Sequence, residues 1–250
     1  MMSEGSQNKE LPRLLGISGG CSHAGHVREI NEDAMVCRDD IGVWAVADGM
    51  GGHERGDFAS QTVIQNLKAV TSCATPKDLA AAVLDSLQNA NGALFRASKE
   101  ADSTIGTTVV TLLLHSGNAL AVWSGDSRLY RLRETEFEQI TSDHTVVQQL
   151  VDDGALEKAE ADNHPHSHVL TQAIGVASEF MVDVAEVNVQ PGDRLMLVSD
   201  GVYGSIPAKK LSAYLTDGGP TEAADRIIEA VLAGQAADNA TVIVVDVGAA

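Results

Sequence analysis

The sequence predicts an α+β protein in which largely antiparallel β-sheets are covered by helices. Three observations support this: β-type segments occur in consecutive runs, helical patterns separate the runs, and no repeat or low-complexity linker interrupts the 250 residues. With 44% hydrophobic residues, a chain of this length can bury a substantial core. We expect a single domain over residues 14–250, preceded by a flexible leader over residues 1–13.

The first half of the chain changes from strand patterns to helical ones. Residues 14–24 and 34–47 are predicted as strands, and IGVWAVA at 41–47 is a continuous apolar run typical of a strand buried on both faces. From Asp57 the apolar residues take helical spacing, and an alanine-rich second helix is predicted over 76–100.

The second half returns to β-type segments and ends in a mixed pattern. Three strands are predicted first, over 106–115, 119–125 and 127–133. Residues 143–180 are polar and irregular, with one or two short helices expected. The remaining predicted elements are strands over 181–189, 194–200 and 240–247, and helices over about 207–216 and 220–234.

The net charge of −18 argues against several partner classes. So acidic a surface repels nucleic acids and anionic membranes, and we find no apolar run of the ~18 residues that a membrane-spanning helix needs. The start lacks the pattern of a signal peptide, and the three cysteines lack metal-type spacing. We therefore expect reduced thiols, a cytoplasmic location, a monomer, and no nucleic-acid or membrane partner.

Five separate segments place acidic residues at the ends of predicted strands. These residues are Glu32, Asp33, Asp48, Asp126, Asp200 and Asp238. Each alone fits an ordinary turn or cap. Together they would repel one another and raise one another's pKa unless a cation neutralised them. An all-oxygen donor set suits Mg²⁺ or Mn²⁺, and a pair of such ions can activate water for displacement at phosphorus.

Two neighbouring features fit such a site. Gly49 has no side chain, so its carbonyl could approach a metal beside the Asp48 carboxylate. Arg28 lies five residues before Asp33, and its planar guanidinium suits a phosphate, although a surface salt bridge explains it equally well. The glycine-rich stretch is a weak match to a nucleotide-binding loop, because neither common phosphate-loop pattern occurs.

Six motifs occur in order along the chain: R-x-x-N-E-D at 28–33, V-A-D-G-M-G-G-H at 46–53, G-T-T at 106–108, G-D-S-R at 125–128, L-V-S-D-G at 197–201 and D-N-A-T-V at 238–242. Together they resemble the PPM (PP2C-type) metal-dependent serine/threonine protein phosphatases in their compact bacterial form, over about residues 14–247. The resemblance implies a four-layer α-β-β-α sandwich, with two central, mainly antiparallel sheets flanked by helices.

The resemblance also implies metal ligands, for two or three Mn²⁺ or Mg²⁺ ions. Asp48 would bridge two ions, and the Gly49 carbonyl would bind one of them. Asp200 and Asp238 would complete the other. Asp126, together with Asp200, would match the third metal position of bacterial relatives.

Further roles follow from the same resemblance. Asp33, and Glu32 less directly, would hold metal-bound waters, and Arg28 would bind the substrate phosphate. A metal-bridging hydroxide would then attack the phosphorus of phosphoserine or phosphothreonine in a protein, without a phosphoenzyme. Residues 143–180 match the family's flap, a variable segment beside the active site. A cognate serine/threonine kinase and its targets are the implied partners.

Two differences from the family pattern and two alternative functions stay open from the sequence alone. Met50 stands where some members carry a histidine proposed as the acid, and we do not assign that role to nearby His53. The flap contains HPHSH, residues 164–168, which could bind a soft metal or sense pH but is more typical of solvent-facing loop residues. The alternative functions are a phosphoprotein-binding module and a phosphoesterase acting on small molecules.

Overall fold

Two antiparallel sheets pack face to face and carry helices on their outer faces. The computed structural model describes residues 14–51, 55–161 and 164–249. One apolar cluster lies between the sheets, and one lies between each sheet and its helices. The predicted four-layer α-β-β-α sandwich is therefore confirmed. The leader predicted over residues 1–13, and His53, lie outside the described residues.

The strands form one sheet of five and one of six. In chain order they are β1 Leu14–His23, β2 Asp33–Arg38, β3 Val43–Gly51, β4 Ile105–Thr107, β5 Val109–His115, β6 Asn118–Ser124, β7 Arg128–Arg133, β8 Glu136–Gln139, β9 Asp183–Val187, β10 Arg194–Val198 and β11 Ala240–Ala249. The five-stranded sheet has the order β1-β11-β10-β7-β8. The six-stranded sheet has the order β2-β3-β5-β6-β9, with β4 paired to β3.

Helices cover both outer faces. They are α1 Gly56–Lys68, α2 Pro76–Ala101, α3 Val146–Asp152, α4 Lys158–Ala161, α5 Asp200–Tyr203, α6 Ala208–Tyr214 and α7 Pro220–Leu232. The first two pack on the six-stranded sheet and the last three on the five-stranded sheet. The hydroxyl of Thr75 starts α2 by accepting the backbone N–H of Asp78 at 3.1 Å. Within the described ranges, no helix has the length and apolar character needed to cross a membrane.

Alternation along buried strands explains why their sequences are continuously apolar. In β3, Trp44 and Val46 point between the sheets, whereas Val43 and Ala45 point toward the helices. The same alternation occurs in β11. The side chain of Ile243 points toward the other sheet, and the side chains of the residues on either side of it point toward α7. Both faces of these strands are therefore buried, as the apolar run at 41–47 predicts.

Four details differ from the prediction. Residues 34–47 form two strands, because the chain reverses at Gly42, whose φ is +70°. The strand predicted over 106–115 is interrupted at Thr108, where β4 gives way to β5. The short polar strand β8 was not predicted, and α5 begins at Asp200, where a strand end was expected.

Strand ends from both sheets meet at one end of the sandwich. The antiparallel register pairs Asp33, at the start of β2, with Asp48, near the end of β3. Likewise Val198, the end of β10, pairs with Val242 near the start of β11. The link over 125–127 joins β6 to β7 and crosses from one sheet to the other. Because antiparallel strands place ends beside starts, acids that are distant in sequence come together here.

Candidate metal centre

Asp48 and Asp200 form the middle of an acidic cluster. Their carboxyl groups lie within hydrogen-bonding reach of each other. Burial is the largest cause that raises the pKa of Asp48 well above its usual range, and Asp33 is the next largest. Burial, followed by the charge of Asp238, raises the pKa of Asp200. Two carboxyl groups in contact are stable only if a proton or a cation lies between them.

Asp33 and Asp126 are the most enclosed acids of the cluster, with exposed fractions of 4% and 6%. Burial, opposed by hydrogen bonds, raises the pKa of Asp33 to about 7, and Oδ2 of this residue accepts a bond from the Ser199 hydroxyl at 2.7 Å. Its Oδ1 is buried and, among the residues that the structure describes, has no hydrogen-bond partner. Burial and the nearby charge of Asp200 raise the pKa of Asp126 to about 7. The charge of Arg128 opposes the rise in the pKa of Asp126 without cancelling it.

Asp238 and Arg28 pair with each other at the edge of the cluster. Nη2 of Arg28 donates to Oδ2 of Asp238 at 2.8 Å, and the two side chains are 52% and 41% exposed. Oδ1 of Asp238 accepts the backbone N–H of Asn239 at 2.9 Å. The salt bridge that the sequence left open for Arg28 is thus present, and its partner is another predicted site residue.

Glu32 and Gly49 lie where β3 leads toward α1. Oε1 of Glu32 accepts the backbone N–H of Gly56 at 3.0 Å, at the start of α1. The backbone N–H of Gly49 donates to the carbonyl of Glu32 at 3.1 Å. A Cβ on Gly49 would lie 2.0 Å from the carbonyl oxygen of Gly56, so only glycine fits. One Glu32 oxygen is therefore committed to the helix rather than to the acids.

Several supporting residues belong to the motifs but were not given roles from sequence. The side chain of Asn239 accepts the N–H of Glu32 at 2.8 Å and donates to the carbonyls of Ala24 and Ile30 at 2.9 and 3.0 Å. It thereby holds the loop that carries Arg28. The signal that could have found it was its position directly after Asp238, at the start of a buried strand.

The two threonines of the G-T-T motif hold the backbone of Asp48. The Thr107 hydroxyl donates to the Asp48 carbonyl at 2.9 Å, and the Thr108 hydroxyl accepts the Asp48 N–H at 3.2 Å. The N–H of Thr108 also donates to the Asp48 carbonyl, at 2.8 Å. This arrangement explains the break between β4 and β5. It fixes the position of the central acid.

A cavity of about 410 Å³ opens between the acids and the flap. Asp48, Asp126 and Asp200 lie on one side, and His168 and Gln172 of the flap line the other. The charge of His168 opposes the rise in the pKa of Asp200. His168 thus lines the cavity, and it is also exposed, as expected for a solvent-facing loop.

The other flap histidines lie together. The rings of His164 and His166 are 5.5 Å apart, and the backbone N–H of His166 donates to Nδ1 of His164 at 3.2 Å. They do not join His168 in a three-histidine group. The soft-metal site considered for HPHSH therefore receives no support.

The acids fit hard divalent cations in donor type and in charge. Every donor is an oxygen, and Oδ1 of Asp33 is buried without a hydrogen-bond partner among the described residues. Burial, together with neighbouring carboxylates, raises the pKa values of Asp33, Asp48 and Asp126. Among the residues that the structure describes, no three acidic, histidine or cysteine side chains already surround one point as a ligand set. Two of the predicted acids are engaged elsewhere: Asp238 pairs with Arg28, and one oxygen of Glu32 accepts the N–H of Gly56.

An antiparallel sandwich with an all-oxygen acidic cluster and an adjacent arginine is the arrangement of metal-dependent phosphatases. A comparison with family models agrees: the model described as "Protein phosphatase 2C" matches residues 20–234. The match covers most of the sequence, so the chain belongs to the protein phosphatase 2C family. The resemblance seen in the six motifs is thereby confirmed.

Named relatives are bacterial phosphatases. The chain is 37% identical over 230 residues to the serine/threonine protein phosphatase PstP of Mycobacterium tuberculosis, covering 90% of this chain and 44% of PstP. It thus spans less than half the length of that relative. It is 32% identical over 232 residues to the serine/threonine phosphatase stp of Listeria welshimeri, covering 89% of this chain and 92% of that protein.

A solved structure is also similar. The catalytic domain of PstP, crystallised in complex with two manganese ions, superposes with a TM-score of 0.85 at 33% identity. The match covers 94% of this chain and 99% of that one.

Proposed function

We propose that this protein hydrolyses phosphoserine and phosphothreonine in proteins, using two or three Mn²⁺ or Mg²⁺ ions. One observation supports this most directly: Asp48, Asp126 and Asp200 line one cavity, although each lies near the end of a different strand. Membership of the protein phosphatase 2C family supports the same reaction. The manganese ions named for the PstP catalytic domain support the choice of metal.

The ions would be held by carboxylates and one carbonyl. We assign this role to Asp48, Asp126, Asp200, Asp238 and the carbonyl of Gly49, as the motifs imply. When bound, divalent cations supply Lewis acidity toward water and toward phosphoryl oxygens. The carboxylates would neutralise the cations, and bound cations would offset the burial and the neighbouring negative charge that raise the pKa of Asp48 and Asp200.

Asp33 and Glu32 would act around the ions rather than on the substrate. The free Oδ1 of Asp33 can accept a hydrogen bond from a water beside Asp48. Glu32 has one oxygen engaged at the start of α1, which leaves the other for a water. The two acids would thereby orient water in the cavity.

Arg28 would bind the phosphate of the substrate. Its guanidinium is about half exposed and lies beside the cluster, paired with Asp238. If Asp238 held a cation, the guanidinium would offer donors that match two phosphate oxygens.

The decisive experiment measures phosphate release from a phosphothreonine peptide with Mn²⁺, with EDTA, and with an Asp200→Asn variant. We expect release with Mn²⁺ and none with EDTA or in the variant. Calorimetric titration with Mn²⁺ accompanies it, so that metal binding is read independently of turnover. A folded protein that binds Mn²⁺ but releases no phosphate would support the phosphoprotein-binding alternative.

Phosphoproteins are the partners that this reaction requires, and a cognate serine/threonine kinase would supply them. We further propose a monomer in the cytoplasm. The free state of all three cysteines, Cys21, Cys37 and Cys73, supports a reducing compartment.

A further inference from the structure

The cavity beside the acids has a second, apolar end. Beyond Asp48 and Asp200 its walls are formed by Met50 and by the flap residues Leu170, Ala173 and Val176. Phosphoryl chemistry uses oxygen donors and charge, so it gives no reason for this apolar surface. Yet the surface adjoins the cluster directly, within the same cavity.

Two methyl groups lie close to Gly106 at the apolar end of the cavity. A Cβ built on Gly106 would lie 2.8 Å from Cγ1 of Val176 and 3.2 Å from Cε of Met50. Both side chains therefore lie over Gly106, and any larger residue there would displace them. Val176 is nevertheless 40% exposed, so its apolar surface faces the opening. We call Met50, Gly106 and Val176 the apolar shelf.

The cavity is larger than a phosphoryl group needs. Its volume of about 410 Å³ lies in the range of roughly 300–1,000 Å³ typical of pockets that bury a drug-sized ligand. At Thr104 and Val176 it adjoins a second cavity of about 270 Å³, lined also by Phe95 and Lys99. A chain entering at the acids can therefore continue across the shelf and along the end of α2.

We propose that the apolar shelf binds a large aliphatic or aromatic side chain next to the phosphorylated residue of the substrate. This inference rests on the proposed function, and it names the substrate class: phosphopeptides with a residue such as leucine or phenylalanine beside phosphothreonine or phosphoserine. The side chain loses contact with water when it covers Met50 and Val176, which favours binding. Because the shelf and the acids share one cavity, this side chain should belong to a residue directly next to the phosphorylated one.

The first test compares phosphothreonine peptides that differ at one flanking position. Leucine, alanine or aspartate is placed immediately before or immediately after the phosphothreonine, and kcat/KM is measured with Mn²⁺. We expect leucine to exceed alanine by about tenfold on at least one side, the size of discrimination that an apolar pocket provides. Aspartate should be the poorest. Equal rates for leucine and alanine on both sides would overturn the proposal.

The second test moves the preference with a variant. Val176→Asp should reduce the leucine-to-alanine ratio to about one, because a carboxylate on the shelf disfavours apolar contact. Val184→Asp is the matched control: Val184 is 50% exposed and does not line the cavity, so the ratio should stay as in the wild type. Val176→Ala, which removes only methyl groups, should lower the ratio partway. A ratio unchanged in both Val176 variants contradicts the assignment.

The outcomes separate this proposal from the proposed function. Phosphate release without any preference among the peptides overturns the shelf and leaves the phosphatase standing. No release from any peptide, with Mn²⁺ bound, overturns both. If Val176→Asp folds poorly, the first test can still disprove the proposal, because it uses only the wild-type protein.

Discussion

The acidic cluster and the flap line the same cavity but are held in different ways. Each acid of the cluster lies at or next to a strand end, and the backbone of Asp48 is bonded to both Thr107 and Thr108. The flap contains two short helices, and an isolated bridge from Thr107 to Ile174 joins it to β4. A further isolated bridge, Thr145 to Leu170, lies within the flap. One wall of the cavity is thus built on the strand ends that carry the acids, and we call it the sheet wall. The other wall belongs to the flap, which has few connections to the sheets, and we call it the flap wall.

The attachment points of the flap lie near its two ends. At the start of the flap, Arg128 donates to Asp143. The guanidinium of Arg128 also lies 3.6 Å from the ring centre of Tyr203. Near its end, the buried side chain of Asn91 accepts the N–H of Gly175 at 2.7 Å and donates to the carbonyl of Ala177. Segments tied at few points open locally at lower free energy than sheets. The difference suggests that chemistry depends on the sheet wall and substrate choice on the flap wall.

The largest expected effect comes from a substitution in the sheet wall. Asp200→Asn should lower kcat/KM for a phosphothreonine peptide by at least about 10³-fold, or ~4 kcal/mol, because a central carboxylate of the proposed ion site is lost. In EDTA the same variant should unfold at a higher urea concentration, since it removes a repelling charge beside Asp48. Near-wild-type turnover would refute the role proposed for Asp200.

Asn239→Ala should weaken the sheet wall without touching an acid. It removes three hydrogen bonds that hold the loop carrying Arg28 and Glu32. We expect the free energy of unfolding to fall by about 1–3 kcal/mol and the affinity for Mn²⁺ to fall roughly 10–100-fold. Urea unfolding and calorimetry measure the two effects. Asn118→Ala, at an exposed turn, is the control and should change neither.

The pH dependence of stability sharpens the comparison, because the raised pKa values lie on the sheet wall. Asp33 and Asp126 have a pKa of about 7 in the folded protein, against an ordinary value of 3.8. Between those values the folded state binds more protons than the unfolded state, so stability falls as pH rises toward 7, and the loss is complete above it. In EDTA the protein should be more stable at pH 6 than at pH 8, by roughly 1 kcal/mol per group.

Saturating Mn²⁺ provides the control for this experiment. Bound cations stabilise the charged carboxylates, so the advantage at pH 6 should shrink or reverse. Metal-free protein that is equally stable at both pH values would show that the acids ionise without penalty, and that the cluster needs no cation.

The smallest expected effect comes from the flap wall. His168→Ala should lower kcat/KM for a phosphopeptide roughly two- to fivefold, as expected for an exposed side chain whose charge interacts with the cavity through water. Stability should not change measurably. His166→Ala serves as the matched control, because His166 does not line the cavity. A loss near 10³-fold for His168→Ala would contradict the division between the two walls.

Strand and helix periodicities are strong in the buried elements, so they predict antiparallel sheets covered by helices, and the resemblance carried by the six motifs adds the sandwich. The apolar run at 41–47 and the helix over 76–100 correspond closely to β3 and α2. Acids at strand ends also predicted that Asp48 and Asp200 would lie close together, and they do. Their roles as metal ligands stay a prediction.

Tertiary contacts explain what the sequence did not predict. Periodicity identifies β6 and β7 as strands but does not say that they belong to different sheets. Nor does it show that Glu32 bonds to Gly56 or that Arg28 pairs with Asp238, because each partner is distant in sequence. The sequence placed His168 in a solvent-facing loop, but a polar loop carries no periodic signal that would show this residue beside the cavity.

The place of β11 in its sheet has a consequence for synthesis on the ribosome. It lies between β1 and β10, yet it is the last of the described strands to be made. Until it emerges, β1 has no partner in its sheet, and Asp238, which directly precedes the strand, is also missing. The five-stranded sheet and the acid set therefore stay unfinished until β11 has been made. Folding of this half should follow the emergence of β11.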